Sequence, residues 1–477
     1  MSTSFADEEF QLGWSKKLSD YNQSKPNSYA SAVRTNLPRP IHIMRILQRI
    51  PAVILFLLFT TVQGVWMLGA CGPLSMPDAP LHVGGAWAVA SGQVFNPVQG
   101  DKHEQMLEGP SNLFKEPNGL RNDTVSGLLT NVIRMMDNNG GDTALTAQRK
   151  ALDRPSHMAR FTGHANQYMP IVFLPQAVGM KIAMSDSNWT SWTLLQASRV
   201  FTLVCYIGVG ALAVLLAGAG MWIMATVLAS PIPVFCAAAG MGDANVIAYC
   251  ALYVAIFLAL RRTGRTFGWG QTLLIAALTI PLPGLKTVYA TLALLYLTLP
   301  VRVWPWRQRV AAVGLFSIVA VPAHLWFAEH QLYWIAPGVD MTANHTWILA
   351  HPLHTLMMLA ANILFLMLVV VWREWFAWLL PPIAAAFVTR RYTDKRTVVT
   401  ACAAASLSLA LIFLSLALTW TPGLDIRGWH IILPGFQERY LWPLLPLLAI
   451  GMNVDDNAQE LSRDSSRGAK NLQHQLL

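Results

Sequence analysis

The chain alternates long apolar blocks with short polar or basic stretches. A polar leader gives way to a continuous apolar run at residues 51–70. Twenty such residues in a helix rise about 30 Å, the thickness of a bilayer's hydrocarbon core. Comparable blocks lie at 194–218, 221–239, 245–260, 310–327, 398–418 and 440–452. The apolar runs 353–371 and 376–388 compete for a place in the same stretch, and the pattern does not choose between them. Residues 273–280 and 288–299 are shorter and are joined by Pro281-Leu-Pro-Gly-Leu-Lys286, which predicts a broken hairpin with Lys286 at its tip. The pattern predicts an all-α integral membrane protein, a bundle of about ten transmembrane helices. The continuity of the apolar runs excludes a membrane β-barrel, whose strands alternate in polarity.

Residues 71–193 contain no clean span and include turn-forming runs such as Asp137-Asn-Asn-Gly-Gly-Asp142, so they read as a large first extracytoplasmic loop. Within it, 81–90 and 168–184 are apolar enough for two short helices lying at the membrane surface. The organisation expected is a cytoplasmic leader at 1–50, a membrane domain at 51–452 and a polar cytoplasmic tail at 453–477.

Of the 477 residues, 54% are apolar and only 12% charged, against about 25% charged in soluble domains. The net charge of +9 does not point to a nucleic-acid partner, because the basic residues stand in short clusters between apolar blocks. These clusters are the leader, 261–265, 302–309 and 390–396, and held in the cytoplasm they place both termini inside a bacterial inner membrane. The loop at 71–193, the hairpin tip and the segment 419–438 then face outward. The five cysteines lie in or beside apolar segments and form neither a disulfide framework nor a zinc motif.

Ionisable groups at a membrane boundary are costly unless used or hydrated, which directs attention to the outward face. In Met76-Pro-Asp-Ala-Pro-Leu-His82, a helix opened by Pro80 brings Asp78 and His82 close. The pair suits a general base with its partner or two ligands of a metal, while Asp78 equally suits a helix N-cap. Gln437-Glu-Arg-Tyr440 places Arg439 at headgroup depth, where its planar fork fits a phosphate or anchors at the interface with Tyr440. Lys286 has the same two readings. Asp243 either caps a helix or accepts hydrogen bonds from a sugar; Arg199 pairs with an outward carboxylate or snorkels; Tyr168 offers a stacking face. His345, His351 and His354 are too loosely spaced for a metal site.

These residues carry a resemblance to a bacterial family of multipass membrane proteins catalogued as a domain of unknown function and grouped by fold with the GT-C glycosyltransferases. Over about residues 53–451, Pro77 to His82 is similar to the family's Pro-Asp-Glu-Pro-x-His, with Ala79 in place of Glu. Tyr168 to Gly179 is similar to Tyr-x-Pro-x-x-Tyr-Leu-Pro-Gln-Ala-x-Gly, with Phe173 for the second Tyr. Arg199 matches an Arg that opens the second span. Leu418 to Pro422 matches Leu-Thr-Trp-Thr-Pro, and Gln437 to Pro443 resembles Gln-Gly-Arg-Tyr-Phe-x-Pro, with Glu438 for Gly. The resemblance implies a membrane glycosyltransferase that moves a sugar from a polyprenyl-phosphate donor to a cell-envelope glycan or glycolipid. Asp78 would be its base with His82 beside it, Arg439 and Lys286 would hold the donor phosphate, and Tyr168, Arg199, Asp243, Gln437 and Tyr440 would line the substrate. No cofactor is required by this reading, and a divalent metal is left open. Two other classes stay in play: a flippase for lipid-linked sugars, and a non-catalytic subunit of an envelope-polysaccharide assembly complex, for which Ala79 speaks.

Overall fold

The computed structural model describes residues 50–74, 78–95, 98–99, 104–113, 141–154, 156–163, 168–330, 335–366, 395–424 and 432–452. The apolar runs become helices. α1 (Ile50–Ala70) is the first candidate span, and α2 (Ala79–Ser91) follows it closely. A small antiparallel sheet comes next, with β1 (Val98–Gln99), β2 (Glu104–Pro110) and β3 (Met158–Gly163) in the order β1-β2-β3 and α3 (Gly141–Leu152) between the last two strands. After a 3₁₀ turn at Pro170–Phe173 come α4 (Leu174–Ala183), α5 (Ser191–Leu216), α6 (Met221–Leu228), α7 (Pro231–Ala238) and α8 (Gly242–Thr263).

The hairpin follows as α9 (Trp269–Thr279), α10 (Leu282–Leu285), a 3₁₀ stretch Thr287–Ala293 and α11 (Leu294–Leu297). Then come α12 (Trp306–His330), α13 (Met341–Ala350), α14 (Pro352–Phe365) and α15 (Lys395–Thr419), and the chain closes with 3₁₀ turns at Glu438–Tyr440 and Leu445–Met452.

Among the described residues, five helices are long and apolar enough to cross a membrane, and seven if each of two bent pairs counts as one crossing. The expected count of ten is not confirmed among these residues. Two candidate crossings are interrupted at proline: Ser230-Pro231 bends the pair ending in α6 and α7 by 63°, and His351-Pro352 bends α13 against α14 by 106°. Proline removes a backbone donor and forces the preceding residue out of helical geometry. The hairpin is two shorter apolar segments, Trp269–Leu285 and Thr287–Leu297, broken as its Pro281 and Pro283 predict. Residues 376–388 lie outside the described residues.

The stretch 71–193 also departs from expectation, because it is built rather than a plain loop. Trp87 Nε1 of α2 donates to the Glu108 carbonyl of β2 at 2.9 Å, and Asn112 donates to the Ala151, Leu152 and Arg154 carbonyls that end α3. α2 is enclosed by protein, with Leu81, His82, Val83, Ala86, Trp87, Ala88 and Ala90 all buried. α5 starts with a capping box in which Thr190 and Thr193 satisfy each other's backbone N–H groups.

α8 is the most enclosed of the five candidate spans, so its apolar residues face protein on nearly every side. Its far end carries Arg261 and Arg262, and Arg262 donates to the Leu216 and Ala217 carbonyls at the end of α5. Arg309 similarly donates to the Leu297, Leu299 and Trp304 carbonyls, and Arg261 meets Thr397 at the start of α15. Arg261, Arg262, Arg309 and the start of α15 thus gather at one end of the described bundle, where the arginines donate to carbonyls at and just beyond helix ends.

α4 and α5 pack backbone to backbone through Gly179, where an added Cβ would lie 2.4 Å from the Ala197 carbonyl oxygen. A backbone atom cannot swing aside. Gly179→Ala is therefore expected to destabilise the protein by roughly 1–3 kcal/mol, read as a lower melting temperature in detergent. Gly208→Ala, inside α5 with its Cβ in open space, should not lower it and is expected to raise it slightly.

Candidate functional site

At the end of the bundle opposite the basic clusters, four chain segments meet. The first begins at Asp78, where α2 starts. Its carbonyl accepts from the Leu81 and His82 N–H groups, but its carboxylate makes no capping bond. Its backbone is left-handed, with φ 56°, and it is the one non-glycine residue with positive φ among the described residues. That conformation costs roughly 1–2 kcal/mol outside glycine and turns the carboxylate toward the last segment of the chain. There Arg439 Nη2 lies 2.5 Å from Asp78 Oδ2, and Gln437 Nε2 lies 3.4 Å away.

Asp243 stands in the first turn of α8, where the positive end of the helix dipole favours a carboxylate. It does not act as a cap, since the N-cap is Met241. Lys286 Nζ, at the hairpin tip, contacts its Oδ1 at 2.5 Å, and Arg439 Nε lies 2.8 Å from its Oδ2. Asp243 and Arg439 are only 4% and 3% exposed. Two carboxylates and two cations therefore form a chain, Asp78–Arg439–Asp243–Lys286, without net charge. Such pairing is what makes buried ions tolerable. Lys286 also sits over the rings of Tyr440 and Tyr168, 4.6 and 5.1 Å from their centroids.

His82 completes the group. Its Nδ1 accepts from the Gly242 N–H at 3.1 Å, so that nitrogen is unprotonated, and its Nε2 faces Asp243 Oδ2 at 3.7 Å. Gly242 itself packs tightly against the turn after Tyr168, where a Cβ would lie 2.4 Å from Val172. Burial drives the imidazole down to about 4; Asp243 opposes this and Arg439 adds to it. Burial also pushes the Asp78 carboxyl up, but the Arg439 guanidinium more than offsets that, with Gln437 helping, and holds it below the ordinary carboxylate range.

The cluster borders a cavity of about 490 Å³. Asp78, Lys286, Tyr168 and Tyr440 line one part, and α12 and α15 supply the rest through residues such as Phe327, Leu416 and Trp420. Arg439 stands behind Asp78 rather than on the cavity wall. Its Nη1 is buried without a hydrogen-bond partner among the described residues.

The structure thus brings together Asp78, His82, Tyr168, Asp243, Lys286, Gln437, Arg439 and Tyr440. Arg199 does not join them. Its guanidinium donates to the Ala238, Met67 and Leu68 carbonyls and to Gln196, fastening the ends of α1 and α7 to α5, and it neither snorkels nor meets a carboxylate. His82 faces Asp243 rather than the Asp78 suggested by spacing, because Asp78 is turned to Arg439. A divalent metal does not suit the donor set, since Arg439 and Lys286 already neutralise both carboxylates. Among the described residues no three His, Cys, Asp or Glu side chains converge in a metal-binding group. Sequence patterning does not single out Tyr289, whose hydroxyl donates to the Tyr440 carbonyl at 2.8 Å, nor His324 on the cavity wall. An imidazole inside an apolar helix is the signal that could have found the latter.

The chain belongs to the family described as predicted membrane protein (DUF2142), whose model matches residues 62–448. The match takes in every residue of the cluster. Comparison with curated proteins and with solved structures returns no match.

His82 gives the site a pH signature. Unfolded, it protonates near about 6.5; folded, only near about 4. Between these values the unfolded chain binds more protons, so stability falls as pH drops from about 6.5 to about 4 and then levels off. Melting temperatures across that range should decline in the wild type and decline less in His82→Gln, whose amide can still accept from Gly242.

Proposed function

We propose that the chain is a membrane glycosyltransferase that transfers a sugar from a polyprenyl-phosphate donor to a cell-envelope glycan or glycolipid on the extracytoplasmic face. The observation that supports this best is that Asp78 and Lys286 both line a largely apolar cavity, with Arg439 paired to Asp78 behind the wall. A lipid phosphate has the matching chemistry, an anionic head on an apolar chain. The resemblance to GT-C enzymes, which assigns the base to the acidic residue after the first span, supports the same reading.

Asp78 takes the proton of the acceptor hydroxyl as its oxygen attacks the anomeric carbon. The bond from that carbon to the phosphate oxygen breaks, and the lipid phosphate leaves with the electron pair. Lys286 and Arg439 stabilise the growing charge on the leaving phosphate. The resting ion pair has a role in this sequence. While Asp78 is bound to Arg439 its basicity is suppressed, and it screens Arg439 from the cavity. A donor phosphate that takes its place on Arg439 both fills the guanidinium and frees the carboxylate, so that the base gains strength when the donor is bound. Lys286 keeps its bond to Asp243 and has further N–H groups to offer.

A flippase would place its ionisable groups near the bilayer midplane, whereas this cluster lies at helix ends. The non-catalytic reading draws on Ala79 and on the completeness of the ion network. It predicts that Asp78→Asn is tolerated.

Purified protein supplied with a polyprenyl-phosphate sugar and an acceptor should release lipid phosphate. Asp78→Asn should lower turnover by about 10² to 10⁴, with Asp78→Glu retaining a little. Arg439→Ala should weaken donor binding about tenfold or more, and Arg439→Lys should restore it in part. Turnover by Asp78→Asn near the wild-type rate would remove the catalytic assignment.

Orientation is tested separately. With the basic end in the cytoplasm, a cysteine at the exposed position Arg265 should react only with reagents that cross the membrane. A cysteine at the exposed position Asp186 should react with impermeant reagents added outside, and the reverse pattern would overturn the proposed face of action.

A further inference from the structure

The cavity has two polar regions of different character. One is the charged cluster. The other is formed by His324 of α12 and by Ser415 and Thr419 of α15, the latter two on one helix face by their spacing of four. The Thr419 hydroxyl donates to the Ser415 carbonyl at 2.9 Å, which leaves its oxygen free to accept.

His324 Nδ1 is enclosed and has no hydrogen-bond partner among the described residues. His324 is partly buried as a whole, and an enclosed polar nitrogen without a partner in an apolar helix is costly. Its own surroundings do not account for it. Val321 and Leu325 beside it are exposed apolar residues on a candidate span, and Phe327 shares its cavity. The α12 and α15 residues lining the cavity include no carboxylate and no Lys or Arg. A wall of one imidazole and two hydroxyls suits an uncharged, hydroxyl-bearing group.

Resting on the reading of the cavity as a lipid-phosphate site, we infer that His324 recognises the sugar carried on that phosphate, through a hydrogen bond between its Nδ1 and a sugar hydroxyl. The imidazole serves as donor or acceptor according to its tautomer. A bare lipid phosphate would satisfy the charged cluster and leave His324 unpaired. A site built to hydrogen-bond a hydroxyl discriminates against an analogue that lacks it, so His324 makes the site select the loaded donor over the spent lipid phosphate.

The test compares two probes on the purified full chain in detergent: farnesyl phosphate, and farnesyl phosphate bearing a hexose. Wild type should bind the hexose-bearing probe more tightly. His324→Leu, which suits an apolar helix, should lose about three- to tenfold in affinity for that probe and keep its affinity for farnesyl phosphate, an internal check that it is folded. His324→Gln, which retains a hydrogen-bonding end, should recover part of the preference. An unchanged ratio of affinities in His324→Leu, or an equal loss for both probes in His324→Leu and His324→Gln alike, overturns the inference and leaves the lipid-phosphate reading standing. Binding of neither probe by wild type removes that reading and the inference with it.

Discussion

The arrangement at the candidate site depends on one buried carboxylate. Asp243 is held in the first turn of α8, the most enclosed of the five candidate spans, and an unpaired charge there would be intolerable. Its two oxygens face Lys286 and Arg439, and the imidazole of His82 stands beside it. Those partners come from the hairpin tip, the final segment and α2, so satisfying a single anion fixes the relative positions of four parts of the chain. Asp78 is the exception in this network. It is 37% exposed at its side chain, it holds a strained backbone, and it makes its ion pair at the cavity's edge. The network is therefore rigid at Asp243 and adjustable at Asp78, a division suited to a site in which one carboxylate organises and another reacts.

Arginines elsewhere in the bundle do a different job. Arg199, Arg262 and Arg309 direct their guanidinium groups to carbonyls at helix ends. Each fastens one chain segment to another through carbonyls at or near helix ends. This arrangement matters because proline breaks give the fold more helix termini to satisfy than an uninterrupted bundle. Arg439 differs in binding carboxylates and in keeping a buried N–H side without a partner. The same residue type thus serves as scaffold or as a candidate anion receptor according to what surrounds it.

The broken helices also shape the cavity. The hairpin places Lys286 at its tip, and Gly284 lies so close to Met169 that a Cβ there would be 2.5 Å from the sulfur. α12 and α15 supply an apolar wall with His324 set into it. Non-helical backbone at membrane depth is tolerated where it is enclosed by protein or lines a cavity, and here the hairpin break supplies Pro283 to Tyr289 to the cavity wall.

The sequence by itself determined the membrane class, the helical architecture, the basic end of the bundle and most of the residues that meet at the site. Continuous apolar runs permit few alternatives in a bilayer, and clustered charge beside them is readable without coordinates. Family membership over residues 62–448 agrees with that reading. Only the tertiary structure showed the bends within the apolar runs, where Ser230-Pro231 and His351-Pro352 interrupt the helix. It also decided the partners. Spacing within 76–82 pairs Asp78 with His82, yet the left-handed turn at Asp78 sends its carboxylate to Arg439, 361 positions along the chain, and leaves His82 to Asp243. Local sequence distance governs which side chains share a turn of helix, but the need to neutralise buried charge governs which of them meet across the fold.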